Sequence, residues 1–115
     1  MSEAMSDSVN EPFRRLSPAE VEAILDRGDE VFVVDVREPR AFREGHISEA
    51  ISLPADDFAD RYSREISPDD PVIVVCQRGQ TSVAAAGFLA SQGFTNVSTM
   101  EGGMNAWNGP LQTRD

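Results

Sequence analysis

The sequence is poor in the residues on which many small-protein sites depend. Its 115 residues include one cysteine, one histidine, one tryptophan and one tyrosine, and all 10 basic residues are arginine. A lone cysteine forms neither an internal disulfide nor a dithiol redox pair, and one histidine does not complete a metal site with it. These absences argue against a disulfide-rich secreted fold, a dithiol oxidoreductase and a metal centre. We expect no bound metal.

Long apolar runs and clusters of positive charge are also missing. No stretch approaches the roughly 18–20 apolar residues of a membrane-spanning helix. Residues 1–10 contain neither the basic residue nor the apolar segment of a signal peptide. The formal net charge of −10 repels nucleic acid. We therefore expect no membrane or nucleic-acid partner, and a location in the reducing cytoplasm.

Short apolar runs alternate with helical patterns along the chain. The runs predict strands at 31–36, 50–53, 71–76 and 96–100, and the patterns predict helices at 17–28, 39–43, 56–65 and 82–92. Such alternation is typical of a three-layer α/β domain, with a central, mostly parallel sheet flanked by helices. We expect this domain at residues 13–115. Residues 1–12 are polar and acidic, and we expect a disordered tail there.

The first helix has a complete start signal. Ser17 is the predicted N-cap, Pro18 takes the first helical position, and Glu20 closes a capping box with Ser17. Gly28 can end this helix in a left-handed conformation.

The only cysteine, Cys76, stands where a predicted strand ends and a helix begins. The Ala-rich stretch after Ser82 favours helix, and Thr81 or Ser82 can serve as its N-cap. The thiol therefore lies at the carboxyl end of a strand, where ligands of open parallel sheets bind. The positive end of the helix and the amides of the turn favour the negatively charged thiolate, which is the nucleophilic form of cysteine.

A set of segments in this chain resembles single-domain rhodaneses, the thiosulfate sulfurtransferase-like family. They are residues 35–47 (DVREPRAFREGHI), 50–54 (AISLP), 76–82 (CQRGQTS) and 101–107 (EGGMNAW). Each segment alone is weakly specific, but together they occur in the family's order and at its separations. The resemblance covers about residues 14–112 and implies a rhodanese-like fold. It also implies a sulfurtransferase in which a loop cysteine carries sulfane sulfur as a persulfide.

The resemblance assigns the catalytic role to Cys76 and substrate binding to the loop after it. The loop residues are Gln77, Arg78, Gly79, Gln80, Thr81 and Ser82. Their backbone N–H groups, with the following helix end, can form a nest for the persulfide anion. Arg78 can orient an anionic donor by paired hydrogen bonds, and the Thr81 hydroxyl can donate to the persulfide. This chemistry needs no cofactor.

Other cysteine chemistries lack a required residue. Related phosphatases and arsenate reductases carry an arginine six places after the cysteine, where this chain has Ser82. A Cys–His hydrolase needs an imidazole base. The only histidine, His46, lies in a segment that does not supply a base in rhodaneses.

Two alternatives stay open at this point. Asp35 and Arg37, at the end of another strand, are either a structural ion pair or supports for the active loop. The chain is either an enzyme or a protein-bound persulfide relay or sensing module. The enzyme would use a small anionic sulfur donor and a thiol or cyanide acceptor, whereas the relay would be loaded by a sulfur-delivering protein. We further hypothesise that Glu49 lies near the mouth of the site and discourages small anionic donors.

Overall fold

A computed structural model describes residues 11–113, in which strands and helices alternate as predicted. The strands are β1 (Arg14–Leu16), β2 (Phe32–Asp35), β3 (Ile51–Ser52), β4 (Val72–Val75) and β5 (Val97–Met100). The helices are α1 (Pro18–Asp26), α2 (Pro39–Glu44), α3 (Ala55–Glu65) and α4 (Thr81–Ser91), followed by a 3-10 helix at Gly103–Ala106. Most of the predicted N-terminal tail, residues 1–10, lies outside the described residues. None of the helices between residues 11 and 113 is long and apolar enough to cross a membrane.

The strands form one sheet in the order β1-β5-β4-β2-β3, and all the neighbouring strands are parallel. β2 and β4 pair in register from Phe32 with Val72 to Asp35 with Val75. Parallel strands end at the same edge of a sheet, so the loops that follow β2 and β4 lie side by side. The predicted α/β class with a parallel central sheet is confirmed.

Helices cover both faces of the sheet, because successive strand residues point to opposite sides. One buried cluster joins the sheet to α3 and α4 and includes Val34, Val72, Val74, Phe58 and Leu89. The other joins it to α1, α2 and the 3-10 helix and includes Val33, Ile73, Val75, Val21, Phe42 and Met104. The continuous apolar runs of β2 and β4 are explained by this burial on both faces.

The predicted start of α1 is confirmed. The Ser17 hydroxyl accepts a hydrogen bond from the Glu20 backbone N–H at 3.1 Å. The Glu20 carboxylate in turn accepts one from the Ser17 N–H at 2.7 Å. A cap of this kind typically stabilises a helix by about 1 kcal/mol. Gly28 follows the helix with a φ of 76°, as its predicted role in ending α1 requires.

Strand β1 is an element that the sequence did not predict. It pairs with the far end of the chain, from Arg14 with Ser98 to Leu16 with Met100. Both arginines are exposed, so the segment carries no alternating apolar pattern. Its conformation depends on pairing with β5, which a local pattern does not encode.

Candidate active site

Cys76 follows β4 directly, and only 3% of its surface is exposed. The backbone N–H of Gly79 donates a hydrogen bond to Sγ at 3.0 Å. The hydroxyl oxygen of Ser82 lies 3.3 Å from Sγ. A serine hydroxyl can rotate to accept from a thiol or to donate to a thiolate. The sulfur therefore has two polar neighbours that can stabilise a negative charge on it.

Among the described residues, the other backbone amides of the Cys76 loop have no hydrogen-bond acceptor. Over residues 11–113, these unpaired amides are those of Gln77, Arg78, Gln80, Thr81 and Ser82. Within residues 11–113 Gly79 is the only amide that donates to Sγ, and the nest predicted for the persulfide anion stays a prediction. The remaining amides are free for an anion that extends beyond Sγ. The turn itself depends on Gly79, whose φ is 94°.

The predicted N-cap of the helix after Cys76 is wrong. Helix α4 begins at Thr81, and the N-cap position is occupied by Gln80, whose side chain makes no capping hydrogen bond. The Ser82 side chain is buried and its hydroxyl contacts the sulfur of Cys76. Ser82 was a predicted N-cap because of its hydroxyl, and in the structure that hydroxyl contacts the thiol instead.

Asp35 and Arg37 form a buried ion pair beside this loop. Their side chains are 0% and 8% exposed, and Nη2 of Arg37 lies 2.8 Å from Oδ2 of Asp35. Nε of Arg37 donates to Oδ1 of the same carboxylate at 3.0 Å. Arg37 also donates to the Gly45 carbonyl at 2.7 Å and to Oε1 of Gln77 at 3.3 Å. The pair is therefore both structural and in contact with the active loop, so the two alternatives are not exclusive.

The 3-10 helix supports the Cys76 loop from the other side. The backbone N–H of Met104 donates to the Cys76 carbonyl at 2.7 Å, and that of Asn105 donates to the Gln77 carbonyl at 3.0 Å. The Gln77 amide nitrogen donates to Oδ1 of Asn105 at 2.6 Å. A Cβ on Gly103 would lie 2.5 Å from the Cys76 carbonyl oxygen. Sequence reasoning missed these contacts, although two successive glycines at 102–103 are a signal of close backbone approach.

Cys76 opens onto a pocket of about 560 Å³ at the carboxyl edge of the sheet. The loop contributes Cys76, Gln77 and Thr81 to its lining. The loops after β2 and β3, with the adjoining ends of α2 and α3, contribute apolar and charged residues: Val36, Arg37, Glu38, Pro39, Ala41, Pro54, Ala55, Asp56 and Asp57. The pocket therefore joins the thiol to an apolar wall and to charges of both signs.

The remaining predicted loop residues lie outside this lining. Arg78 is exposed and makes no ion pair or hydrogen bond with any residue of the described chain. Gly79 and Ser82 contact Sγ through the Gly79 N–H and the Ser82 hydroxyl, and Gln80 is exposed at the residue before α4. Substrate orientation by Arg78 thus stays a prediction.

The hypothesis that Glu49 lies at the mouth of the site is wrong. Glu49 lines a separate pocket of about 70 Å³ together with Trp107 and Pro110. The acidic residues in the pocket of Cys76 are instead Glu38, Asp56 and Asp57.

His46 has a structural environment. It is 1% exposed, and its ring stacks on Phe42 with 3.7 Å between the ring centroids. Its Nδ1 lies 2.6 Å from the Phe42 carbonyl oxygen. The imidazole does not line the Cys76 pocket, which agrees with the expectation that it is not the base of the reaction.

Comparison with known proteins identifies similar sequences over most of the chain. The family model for the rhodanese-like domain matches residues 17–110. The thiosulfate sulfurtransferase GlpE of Pseudomonas syringae pv. syringae (strain B728a) is 38% identical over 95 residues, covering 83% of this chain and 87% of the relative. The thiosulfate sulfurtransferase GlpE of Pseudomonas entomophila (strain L48) is 40% identical over 95 residues, covering 83% of this chain and 84% of the relative.

Solved structures show the same similarity in three dimensions. The crystal structure of a rhodanese-like domain protein from Staphylococcus aureus has a TM-score of 0.81 and 26% sequence identity, covering 90% of this chain and 100% of that chain. The range matched by the family model contains Asp35, the Cys76 loop and the 3-10 helix. The similarity therefore includes every segment that builds the pocket.

Proposed function

This chain belongs to the rhodanese-like domain family and is a rhodanese-type sulfurtransferase, and from that membership we propose that Cys76 is its sulfur carrier. One observation supports this assignment above the others. Sγ of Cys76 accepts the Gly79 N–H at 3.0 Å and Cys76 belongs to the lining of the pocket, so a sulfur with an amide donor lies beside the space that a sulfur donor would enter.

The proposed reaction has two half-reactions. The Cys76 thiolate first attacks the sulfane sulfur of a donor such as thiosulfate. A bond forms between Sγ and that sulfur, the donor's S–S bond breaks, and sulfite leaves with the electron pair. A thiophilic acceptor, cyanide or a thiol, then attacks the outer sulfur, and the Cys76 thiolate leaves. The result is a ping-pong cycle in which the persulfide is the covalent intermediate.

The residues of the loop have separate roles in this proposal. Gly79 and Ser82 stabilise the charge on Sγ before attack. The unpaired amides of the loop, with the positive end of α4, stabilise the outer sulfur of the persulfide. The Thr81 hydroxyl lines the pocket and can donate to the same sulfur. Arg78 guides anionic donors from the exposed face of the loop.

Asp35 and Arg37 are positioning residues in this scheme. Arg37 contacts the Gln77 side chain, and Gln77 follows the nucleophile directly. Their effect on the reaction is therefore exerted through the placement of the loop.

A second candidate function is that of a persulfide relay loaded by a partner protein. The observation in its favour is the acidic lining of the pocket at Glu38, Asp56 and Asp57, which repels small anions. For either function, the lone free thiol is suited to a reducing compartment, and we propose the cytoplasm.

Intact-mass spectrometry tests the role of Cys76. After exposure to thiosulfate, the protein should gain the mass of one sulfur atom, and it should lose that mass on addition of cyanide. Cys76→Ser should gain none while unfolding at the same urea concentration as the wild type. Sulfur gain by Cys76→Ser, or no gain by the wild type with any sulfane donor, would overturn the proposal.

A further inference from the structure

The charged residues that line the Cys76 pocket leave an excess of negative charge, while Arg78 lies in the loop outside that lining. Among the described residues that line it, Arg37 is the only cation, and this guanidinium is paired with buried Asp35 at 2.8 Å. Asp57 lies 3.7 Å from Arg61. Glu38 and Asp56 are exposed, and neither has an ion-pair partner in the described part of the chain. Two acidic residues without an ion-pair partner in residues 11–113 thus line the pocket of the thiol.

The helix that forms one wall of the pocket does not offset this charge. Pro54 and Ala55, at the start of α3, belong to the lining. The beginning of a helix normally attracts anions through its free amides and its dipole. Asp56 and Asp57 occupy the first turn of α3, however, and their carboxylates counter that attraction. The amides of the Cys76 loop are therefore the main anion-attracting feature inside the pocket, and the exposed Arg78 is a cation outside its lining.

The pocket is also larger and more apolar than a small inorganic anion needs. Its volume of about 560 Å³ falls in the range of roughly 300–1,000 Å³ that is typical of pockets for organic ligands. Val36, Pro39 and Ala41 supply apolar surface beside the thiol. Thiosulfate has no apolar part to place against them, whereas an organic sulfur donor does.

We infer that Glu38 and Asp56 make this site selective for organic sulfane-sulfur donors with less negative charge than thiosulfate, above all donors that carry a positive group near the sulfur. The inference rests on the proposed function, because it concerns the same thiol and the same first half-reaction. With a thiosulfonate donor, Sγ bonds to the terminal sulfur and the bond from that sulfur to the sulfonyl sulfur breaks. A sulfinate then leaves with the electron pair.

A series of donors of graded charge tests this selectivity. Thiosulfate carries two negative charges, ethanethiosulfonate carries one, and thiotaurine adds an ammonium group to the ethanethiosulfonate skeleton and has no net charge. The measured quantity is kcat/KM for each donor with cyanide as the acceptor. In Glu38→Gln/Asp56→Asn, kcat/KM should rise roughly 3- to 10-fold for thiosulfate, less for ethanethiosulfonate, and less than about 2-fold for thiotaurine.

The matched control is Glu49→Gln/Asp60→Asn. It removes the same formal charge from exposed positions that do not line the pocket, and Asp60 lies on the same helix as Asp56. The control should leave the order of the three donors unchanged. In the wild type, added salt should raise kcat/KM for thiosulfate relative to thiotaurine, because it screens the carboxylates.

The outcomes separate this inference from the proposed function. Loading of Cys76 by all three donors, with ratios that neither the pocket variant nor salt alters, would overturn the charge selectivity and leave the sulfur carrier intact. An equal rise of thiosulfate turnover in both double variants would overturn it too, since the effect would then come from overall charge. Failure of every donor to load Cys76 would reject the carrier role and the selectivity together.

Discussion

The loops after β2 and β4 lie side by side at one edge of the sheet, yet they use their polar groups in opposite ways. In the β2 loop, Arg37 bonds to the Asp35 carboxylate, the Gly45 carbonyl and the Gln77 side chain. In the β4 loop, the Gly79 amide donates to Sγ, and the neighbouring amides have no acceptor within residues 11–113. We call the first the saturated loop, because the guanidinium and the backbone N–H of Arg37 are bonded to protein acceptors, whereas the second keeps most of its backbone donors unpaired within the described residues.

This difference indicates how a small domain holds the Cys76 loop, here called the reactive loop, in one conformation. Unpaired donors near a buried sulfur are unfavourable unless the chain around them is held in place. Here the support comes from the neighbouring saturated loop and from the 3-10 helix, which bonds to the carbonyls of Cys76 and Gln77. The saturated loop and the 3-10 helix thus hold the structure in place, and the adjacent Cys76 loop carries the unpaired donors.

The largest expected loss of stability comes from removing the carboxylate that pairs with Arg37 in the saturated loop. Asp35→Asn removes the charge that compensates Arg37, which is buried. Loss of one partner of a buried pair leaves an uncompensated charge, so the free energy of unfolding should fall by about 3–5 kcal/mol. Urea denaturation measures this change. Asp29→Asn is the control, because its ion pair with Arg27 has the same two-residue spacing but is exposed, and it should lose less than about 1 kcal/mol. Equal losses would contradict the comparison.

A smaller loss of stability is expected from a side chain that separates the 3-10 helix from the reactive loop. Gly103→Ala places a Cβ 2.5 Å from the Cys76 carbonyl oxygen at a φ of 62°. The crowded backbone should lower the free energy of unfolding by about 1–3 kcal/mol and slow sulfur loading. Gly87→Ala is the matched change, since nothing lies within 4 Å of its Cβ inside α4. It should stabilise the protein by about 0.5–1 kcal/mol and leave loading unchanged. Loading that is equally fast in both variants would show that the support is not needed.

The smallest effect is expected from a substitution within the reactive loop itself, and it concerns the rate of sulfur loading. Ser82→Ala removes the hydroxyl that lies 3.3 Å from Sγ and leaves the Gly79 amide in place. A typical hydrogen bond contributes about 0.5–1.5 kcal/mol, so the rate of loading from thiosulfate should fall about 2- to 10-fold. Rapid-mixing kinetics with the acceptor omitted measures this step. Ser63→Ala, at an exposed position on α3, should load at the wild-type rate. An unchanged rate in Ser82→Ala would mean that the hydroxyl serves folding alone.

The features that could be predicted from the sequence are those encoded locally. Ser17, Pro18 and Glu20 form the start of α1 within four consecutive residues, and the structure has the predicted capping box. The apolar runs that end at Asp35 and Cys76 placed both residues at the correct edge of the sheet.

The features that were missed depend on contacts between distant segments. Strand β1 exists through its pairing with β5, and Gly103 reaches Cys76 through the turn after β5. The hypothesis that Glu49 lies at the mouth of the site is wrong for the same reason. Glu49 lines a pocket together with Trp107, which is distant from it in the chain. The Ser82 hydroxyl was assigned to a cap because its true neighbour, Sγ, is six residues away in the chain.

Strand β1 has a consequence for how this protein behaves at high concentration. Within residues 11–113 it is an outer strand of the sheet, and an outer strand typically offers backbone groups to which a strand of another molecule can add. Arg14 and Arg15 are both exposed there, Arg14 bonded to Asn96 and Arg15 paired with Glu11. A second molecule that extended the sheet at this strand would have to accommodate two guanidinium groups. Charged residues on an outer strand disfavour edge-to-edge aggregation. The two arginines, which removed the apolar pattern that would have predicted β1, supply that charge.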